Sequence, residues 1–398
     1  MLPGVEFQCE IEKCALGGDG LTRVEGEVVF IPGALPGEKL IARTVAAKKN
    51  FSRAEIVRFG TRSPDRREPF CRYFGRCPGC TYQHCSVAAE TAIKESQLDD
   101  ALNAAGIEPA PGVRREAAAP LPDTGYRNKL ELHVHKVGKE IFFGFIGHDN
   151  VTVTDVEACP LAHREINELL AQLRHDKSFL SSLREGMRVT LRRTEAGGAV
   201  FWRNRPARNL TWLREKVPFG ELSVPCGSFF QVNPAGCEAL IADFQRALDE
   251  RPPARVIDLY CGAGLFGAAA AARGIRSLCG VESDEAAAEA ARYNFRRFGI
   301  ESPEVIAGDA GSALRSIPID AETLLTVDPP RTGMTAGTLR AIVRSGLRRL
   351  IGISCHPATW SRDAARLKQG GFELRALRMI NMFPHTAHFE IFSEWVRV

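Results

Sequence analysis

Seven strand-like runs alternate with helical or loop segments through the last third of this 398-residue chain. They are Val256–Tyr260, Ser277–Glu282, Glu304–Asp309, Leu324–Asp328, Leu350–Cys355, Phe372–Ile380 and His388–Val396. Strand–helix alternation of this kind implies a mostly parallel sheet covered on both faces, because each parallel pair needs a crossover that lies on the sheet. Ligands of such sheets bind beyond the carboxyl ends of the strands. Chemistry is therefore expected where each run stops.

The first run stops in Asp258-Leu-Tyr-Cys-Gly-Ala-Gly-Leu-Phe-Gly267, which sets Gly262, Gly264 and Gly267 in a G-x-G-x-x-G pattern ahead of an Ala-rich helix. Glu282 closes the second run, 20 residues after Gly262. That spacing suits a ribose held through its hydroxyls by a carboxylate, with glycines letting the backbone approach the ligand. NAD and S-adenosylmethionine both satisfy it, and so do glycines that serve only tight helix–strand packing. The next two strand ends favour S-adenosylmethionine. Asp309 closes the third run, where its carboxylate would accept an adenine amino group. Asp328-Pro-Pro-Arg331 closes the fourth as a rigid polar turn, and nothing at the sheet edge suits hydride transfer.

The rest of the chain differs in kind. Residues 1–62 read as short strands punctuated by glycine turns, the pattern of a small β-barrel. Thr61–Pro69, rich in proline and arginine, marks a boundary. A cysteine cluster follows, then a helix near Val87–Ala105 and a Pro/Ala-rich loop at Glu108–Pro122. Strand signals dominate from Tyr126 to Val224 (Lys129–Lys136, Ile141–Phe145, Val151–Val156, Val189–Arg193 and Ala199–Arg203), interrupted by one helix at Leu161–His175. Three domains are expected: 1–62, an α+β domain at 63–224, and the doubly wound sheet at 225–398.

Charge adds a hint about partners. The net charge is +4, but nine cations face three acids between Arg43 and Arg72, a local excess of +6. A stripe of that sign is compatible with nucleic acid, although a solvated face reads the same way. The longest uncharged apolar stretch, Leu259–Ala272, is too short for a bilayer at about 20 residues. The N-terminus lacks the basic start and apolar core of a signal peptide. A soluble, cytoplasmic protein with no membrane association is expected. Twelve cysteines in a reducing compartment then argue against a disulfide framework. Cys71-x5-Cys77-x2-Cys80, with Cys159-Pro160 further on, suits a [4Fe–4S] cluster. Cys77, Cys80, His84 and Cys85 suit zinc. Spacing alone leaves both open.

Two resemblances narrow these readings. Leu16-Gly-Gly-Asp-Gly-Leu21 and Val28-Val-Phe-Ile-Pro-Gly-Ala-Leu-Pro-Gly37 resemble a TRAM domain, an OB-like RNA-binding barrel. Asp258–Gly264, Asp328–Arg331, Ser354-Cys-His-Pro357 and Phe383-Pro-His-Thr-Ala-His-Phe-Glu390 together resemble the RNA 5-methyluridine methyltransferase family. The likeness spans nearly the whole chain and is greatest to members that carry both barrel and cluster and act on 23S ribosomal RNA. The fold implied is multidomain α/β: a TRAM barrel, an α+β central domain with the cluster, and a class I S-adenosylmethionine-dependent methyltransferase domain with a Rossmann-like seven-stranded sheet. Ribosomal RNA ranks ahead of transfer RNA as substrate. DNA, membranes and an obligate protein partner are not expected.

The chemistry behind that family explains two strand ends. Uracil C5 is a poor nucleophile toward a methyl sulfonium until a thiolate adds to C6. A base must later remove the C5 proton so that the thiol can leave. The resemblance assigns Cys355 as nucleophile and Glu390 as base, with His388 and Glu390 on one face of the last strand and His385 and His388 as supporting residues. It places Gln231 and Tyr260 at the cofactor beside Gly262, Gly264, Glu282, Asp309 and Asp328, leaves Phe229 and Phe230 as stacking surface or packing, and assigns Cys71, Cys77, Cys80 and Cys159 to an iron–sulfur cluster of structural role. Two positions depart from the family pattern: His356 stands where Asn usually follows the cysteine, and Leu265 where relatives often carry Asn. An iron–sulfur redox enzyme would leave Cys355 and Glu390 unexplained, and a non-catalytic RNA-binding protein would leave the whole sheet edge without purpose.

Overall fold

The computed structural model describes residues 2–114, 121–138, 140–194, 197–206 and 212–398, so the middle of the Pro/Ala-rich loop lies outside the described residues. Packing divides the chain into two units. One is Met1–Asp100 with Phe143–Val156 and Phe383–His388; the other is Ala101–Phe142, Glu157–Met382 and Phe389–Val398. This differs from the three-domain expectation, because the segment after the barrel packs with the barrel.

In the first unit, β1 (Glu6–Glu10), β2 (Lys13–Cys14), β3 (Gly20–Val24), β4 (Glu27–Ile31), β5 (Lys39–Ala47) and β6 (Phe51–Thr61) form one sheet in the order β1-β5-β6-β4-β3-β2. Register shifts between β5 and β6 at three places bend the pair, as bulges do. Ile11, Val29, Ile31, Leu40 and Ala54 form the buried core of this sheet. Buried Glu38 accepts hydrogen bonds from Arg66 at 2.6 Å and from the Leu35 and Ser63 N–H groups, which fastens the boundary segment to the barrel. Helix α1 (Val87–Ala105) joins it through Gln97, whose side-chain amide donates to the Ala15 carbonyl, and through a Lys13–Asp100 ion pair of 2.7 Å.

The strands that follow are β7 (Lys129–Val137), β8 (Glu140–Ile146) and β9 (Val153–Asp155). Helices α2 (Arg164–His175) and α3 (Lys177–Ser182) come next, where the sequence suggested one helix. Asp176 makes the difference: it ends α2, and its carboxylate accepts the Phe179 N–H to start α3. Strand β10 (Arg188–Thr194) pairs antiparallel with β7 and with β11 (Gly198–Arg203). A further hairpin, β12 (Trp212–Val217) and β13 (Gly220–Pro225), was not anticipated, although burial alternates regularly along β12.

Helix α4 (Pro234–Glu250) starts with Asn233 as cap and Pro234 in the first turn, where proline costs no hydrogen bond. Beyond it lie β14 (Arg255–Leu259), α5 (Leu265–Ala272), β15 (Ser277–Glu282), α6 (Glu285–Arg297), β16 (Glu304–Ala307), α7 (Ala310–Leu314) and β17 (Thr323–Val327). The chain ends with α8 (Ala336–Arg344), β18 (Arg349–Ser354), α9 (Pro357–Gln369), β19 (Phe372–Ile380) and β20 (Glu390–Arg397). All seven expected runs are strands, in the order β16-β15-β14-β17-β18-β20-β19. The sheet is parallel except for β20, which inserts antiparallel between β18 and β19. Strands β17 and β18 are buried at every position, as a sheet covered on both faces requires. Among the described residues no helix is long and apolar enough to cross a membrane.

Candidate active site

The carboxyl ends of β14, β15 and β16 build one half of the site. After β14 the backbone turns through Tyr260, a non-glycine residue at φ 60°, and Gly262 at φ 53°. A Cβ at Gly262 would meet nothing within 4 Å, so the peptide there is open to a ligand. Gly267 serves the opposite purpose, since a Cβ there would lie 2.6 Å from the Phe295 ring. The packing reading of the glycine pattern thus applies at Gly267, whereas Gly262 has open space above it. The Glu282 carboxylate accepts the Gly262 N–H at 2.9 Å and the Asp284 N–H at 2.8 Å, so the second strand end orients the first. Asp309 is exposed and caps α7 through the Ser312 N–H, which holds its carboxyl below the usual range. The half-buried Tyr260 hydroxyl shares a hydrogen bond with Thr338, 3.2 Å away. Leu265, the first residue of α5, is buried, so its side chain serves the core.

Asp258 lies under this edge, fully buried. One oxygen accepts the Gly267 N–H at 2.9 Å and the other has no hydrogen-bond partner. Burial pushes its carboxyl up to about 8.

The other half stands at the ends of β17, β18 and β20. Ser354 pairs with Ile391 as the last pair of the β18–β20 ladder, and Cys355 and Glu390 follow directly beyond it. Glu390 pairs with Ile380 of β19, the terminal pair of that ladder, so it stands at the end of a strand flanked on both sides. It is 4% exposed, and one carboxylate oxygen has no hydrogen-bond partner. Burial, with the Asp328 carboxylate next, holds its carboxyl well above the ordinary range, and Arg331 opposes the shift. Asp328 itself is pushed up to about 7 by burial. Cys355 is half-buried, and its thiol is pushed up to about 11 by burial, then by Glu390 and Asp328, with Arg331 again opposing. One thiol and two carboxyls of raised proton affinity thus surround one edge, and such clustering marks functional sites.

His356 does not share in this. Its ring Nδ1 accepts the Thr359 N–H and caps α9, with Pro357 in the first turn. Asn caps helices in the same way, so the departure keeps the cap. His388 is corrected as well: β20 begins at Glu390, so the expected shared face of His388 and Glu390 does not exist. His388 and His385 belong to the first unit, where the His385 N–H donates to both oxygens of buried Glu90 at 2.9 and 2.8 Å. Gln231 is buried on the approach to α4, its carbonyl held by the Asn128 side chain at 3.2 Å. Of its neighbours, Phe230 is buried, whereas Phe229 is 69% exposed and free to offer a ring face.

The basic stripe is partly neutralised within its own unit. Arg43 pairs with Glu6 and Glu55, Arg53 with Asp19 and Arg66 with Glu38. Lys48, Lys49, Arg58 and Arg62 remain exposed without a carboxylate partner among the described residues. Cys71, Cys77 and Cys80 lie on the irregular segment between β6 and α1, and Cys159 lies in the other unit. All four are partly accessible. Cys85, the fourth member of the zinc alternative, is instead buried in an apolar cluster with its thiol toward the Tyr82 carbonyl. Among the described residues no group of three or more His, Cys, Asp or Glu side chains is gathered to hold a single metal ion.

Comparison with known proteins follows the same lines. Residues 3–57 match the TRAM domain family, and residues 238–347 match a family described as conserved hypothetical protein 95. A protein of Bordetella avium, "23S rRNA (uracil(1939)-C(5))-methyltransferase RlmD", is 32% identical over 97% of this chain and 90% of its own length. The chain belongs to the RNA (uracil-C5)-methyltransferase family. Another member of that name, from Azoarcus, is 32% identical over 96% of this chain and 97% of its own length. The fold of the family runs the length of the molecule. The crystal structure of Pyrococcus abyssi tRNA (uracil-54, C5)-methyltransferase with S-adenosyl-L-homocysteine has a TM-score of 0.74 at 21% identity, covering 98% of this chain and 100% of that one.

Proposed function

We propose that this protein methylates C5 of a uridine in 23S ribosomal RNA, drawing the methyl group from S-adenosylmethionine. The observation that carries the reading is that the Cys355 thiol, the Glu390 carboxyl and Asp328 bear on one another at one end of the sheet, next to the Ser354–Ile391 pair. The cofactor supplies an electrophilic methyl sulfonium. The open backbone at Gly262, the Glu282 carboxylate and exposed Asp309 fit a nucleoside there, and Gln231 and Tyr260 complete its surroundings.

Chemistry at the base belongs to the protein. The Cys355 thiolate adds to C6, and the electron pair displaced from the C5–C6 double bond makes C5 nucleophilic. C5 then takes the methyl group, and S-adenosylhomocysteine leaves. Glu390 accepts the C5 proton, the double bond re-forms and the C6–S bond breaks. A carboxyl whose proton affinity is raised by burial is a stronger base than a free one, which suits removal of a carbon-bound proton. Asp328 and exposed Phe229 are assigned to holding the base. Ribosomal RNA as substrate rests on the names of the relatives, and the barrel with its four unpaired cations is the surface that would meet it.

The proposal includes a [4Fe–4S] cluster on Cys71, Cys77, Cys80 and Cys159, with a structural role. The donor chemistry fits: four partly accessible thiols, three of them within ten residues, suit thiolate ligation of iron. Anaerobically purified protein is expected to be brown with about four irons per chain; colourless, zinc-containing protein would reject the cluster. The function itself is tested by incubating tritiated S-adenosylmethionine with 23S and transfer RNA transcripts. Label in 5-methyluridine of 23S RNA supports the reading, and label only in transfer RNA moves the substrate.

A further inference from the structure

A groove of about 600 Å³ runs between α8 and α9, beginning at the loop that follows Asp328-Pro-Pro-Arg331. Its walls carry Arg340 and Arg344 from α8 and Arg362 and Arg366 from α9. Each pair is four residues apart, so each occupies one helix face, and the two faces line the same groove. Met334, Leu339 and Val343 supply an apolar lining.

Like charges at this spacing on a helix repel, and here two such pairs share one concavity. Arg362 is engaged by Asp363 at 2.6 Å and by the Thr332 and Met334 carbonyls. Arg366 donates to the Gln369 side chain at 3.3 Å, a neutral partner. No carboxylate pairs with Arg340, Arg344 or Arg366 among the described residues. Helix dipoles account for a cation in the last turn, which covers Arg344 and Arg366 but not Arg340. Nor does a dipole explain why three uncompensated guanidinium groups converge on one groove.

From this we infer that the groove binds the phosphodiester backbone of the substrate RNA, on the strand that flanks the uridine at Cys355. Guanidinium groups match phosphate oxygens bidentately. Arg340 and Arg344 are separated by about 6 Å along the helix axis, a spacing that serves successive phosphates rather than one small anion. The apolar lining gives sugar and base faces a surface on which to lie. Continuity fixes the occupant: the mouth is formed by Thr332 and Gly333, immediately after the turn that carries Asp328 and Arg331. This inference rests on the proposed RNA methylation and adds a binding track to it.

The test compares the full-length holoprotein with Arg340→Gln/Arg344→Gln/Arg366→Gln and with the corresponding triple Lys variant. Binding of a 23S RNA transcript is followed by fluorescence anisotropy from 50 to 300 mM KCl. Tritium transfer and S-adenosylmethionine binding are measured alongside. The Gln variant is expected to bind RNA at least tenfold more weakly at 100 mM KCl, and its log K against log salt slope should be shallower by about 2, at about 0.7 per single-strand phosphate contact. Cofactor affinity and kcat at saturating RNA should stay within twofold, and the Lys variant should keep most of the binding. Unfolding temperature should hold or rise in the Gln variant, since repulsion is removed. An unchanged RNA affinity and salt slope would overturn the track, as would a loss confined to cofactor affinity. Should wild-type protein bind RNA with the full slope yet label none, the methylation reading fails while the track stands.

Discussion

Cys355 and Glu390 each follow directly on the last pair of the β18–β20 ladder, Ser354 with Ile391, and the Glu390 carboxylate bears on the Cys355 thiol. Paired residues of such a ladder have Cα atoms about 4.5–5.5 Å apart, so the Ser354–Ile391 pair brings the thiol and the carboxyl that follow it to one end of the sheet. The two strands run in opposite directions, so the carboxyl end of one and the amino end of the other meet at a single edge of the sheet.

Dividing the reaction between these residues predicts different failures. Cys355→Ala should lose methylation by at least a thousandfold and form no adduct. Glu390→Gln should still add to C6 and transfer methyl, and should accumulate a covalent protein–RNA species visible as a shifted band in a denaturing gel. Normal turnover by Cys355→Ala would sink the assignment.

The resting thiol should be unreactive near neutrality. With Cys355 pushed up to about 11, iodoacetamide labelling of its peptide, read by mass spectrometry, should rise about tenfold per pH unit from 7 to 10. Glu390→Gln removes a charge that raises the thiol, so its labelling curve should shift to lower pH. A wild-type plateau below pH 8 would contradict the burial argument.

Buried Asp258 should make the fold acid-tolerant. Its carboxyl lies near 8 in the folded protein against 3.8 in an ordinary setting, so the folded state holds the proton more tightly. The stability it contributes is fully present below about pH 4 and is lost as pH rises through 8. Asp258→Asn keeps an acceptor for the Gly267 N–H and should flatten the fall in Tm between pH 5 and 8, measured by calorimetry. An identical slope in variant and wild type would refute the assignment.

Arg349, 4% exposed in β18, pairs with Glu394 of β20 at 2.7 Å and donates to the Ala247 and Arg251 carbonyls at the end of α4. Removing one member leaves an uncompensated buried charge, so Arg349→Met should cost about 3–5 kcal/mol in urea unfolding. Arg349→Met/Glu394→Leu should recover much of it, since apolar replacement of both members is often neutral. Equal losses in single and double variants would show that the carbonyl contacts, not the ion pair, dominate.

Local pattern made the sheet legible. β-branched runs, helix caps and the glycine turn act within a few residues of one another, and all seven runs are strands, some a residue or two shorter or shifted. Asp309, read as the last residue of a strand, is a helix cap, because its carboxylate is occupied by the Ser312 N–H. The stripe Glu90, Lys94 and Gln97 on α1 would pass for a solvated face by its polarity. Instead all three are buried, with Lys94 paired to Glu90 and donating to the Phe383 carbonyl. Their partners lie far away in the chain, and no local signal marks them. The size of the +6 stripe was overstated for the same reason: the acids that pair with Arg43, Arg53 and Arg66 include Glu6, Asp19 and Glu38, outside the counted window.

By itself the sequence determined which segments are strands, where the glycine turn falls after the first of them, and which thiol and carboxyl stand near strand ends. Only the tertiary structure decided that they meet. The order β18-β20-β19 differs from chain order, and the last strand enters antiparallel between its two predecessors. Strand pairing is set by contacts between residues far apart in the chain, so the Ser354–Ile391 pairing that brings Cys355 and Glu390 to one end, and the burial that raises the proton affinity of both, exist only once the sheet has closed around them.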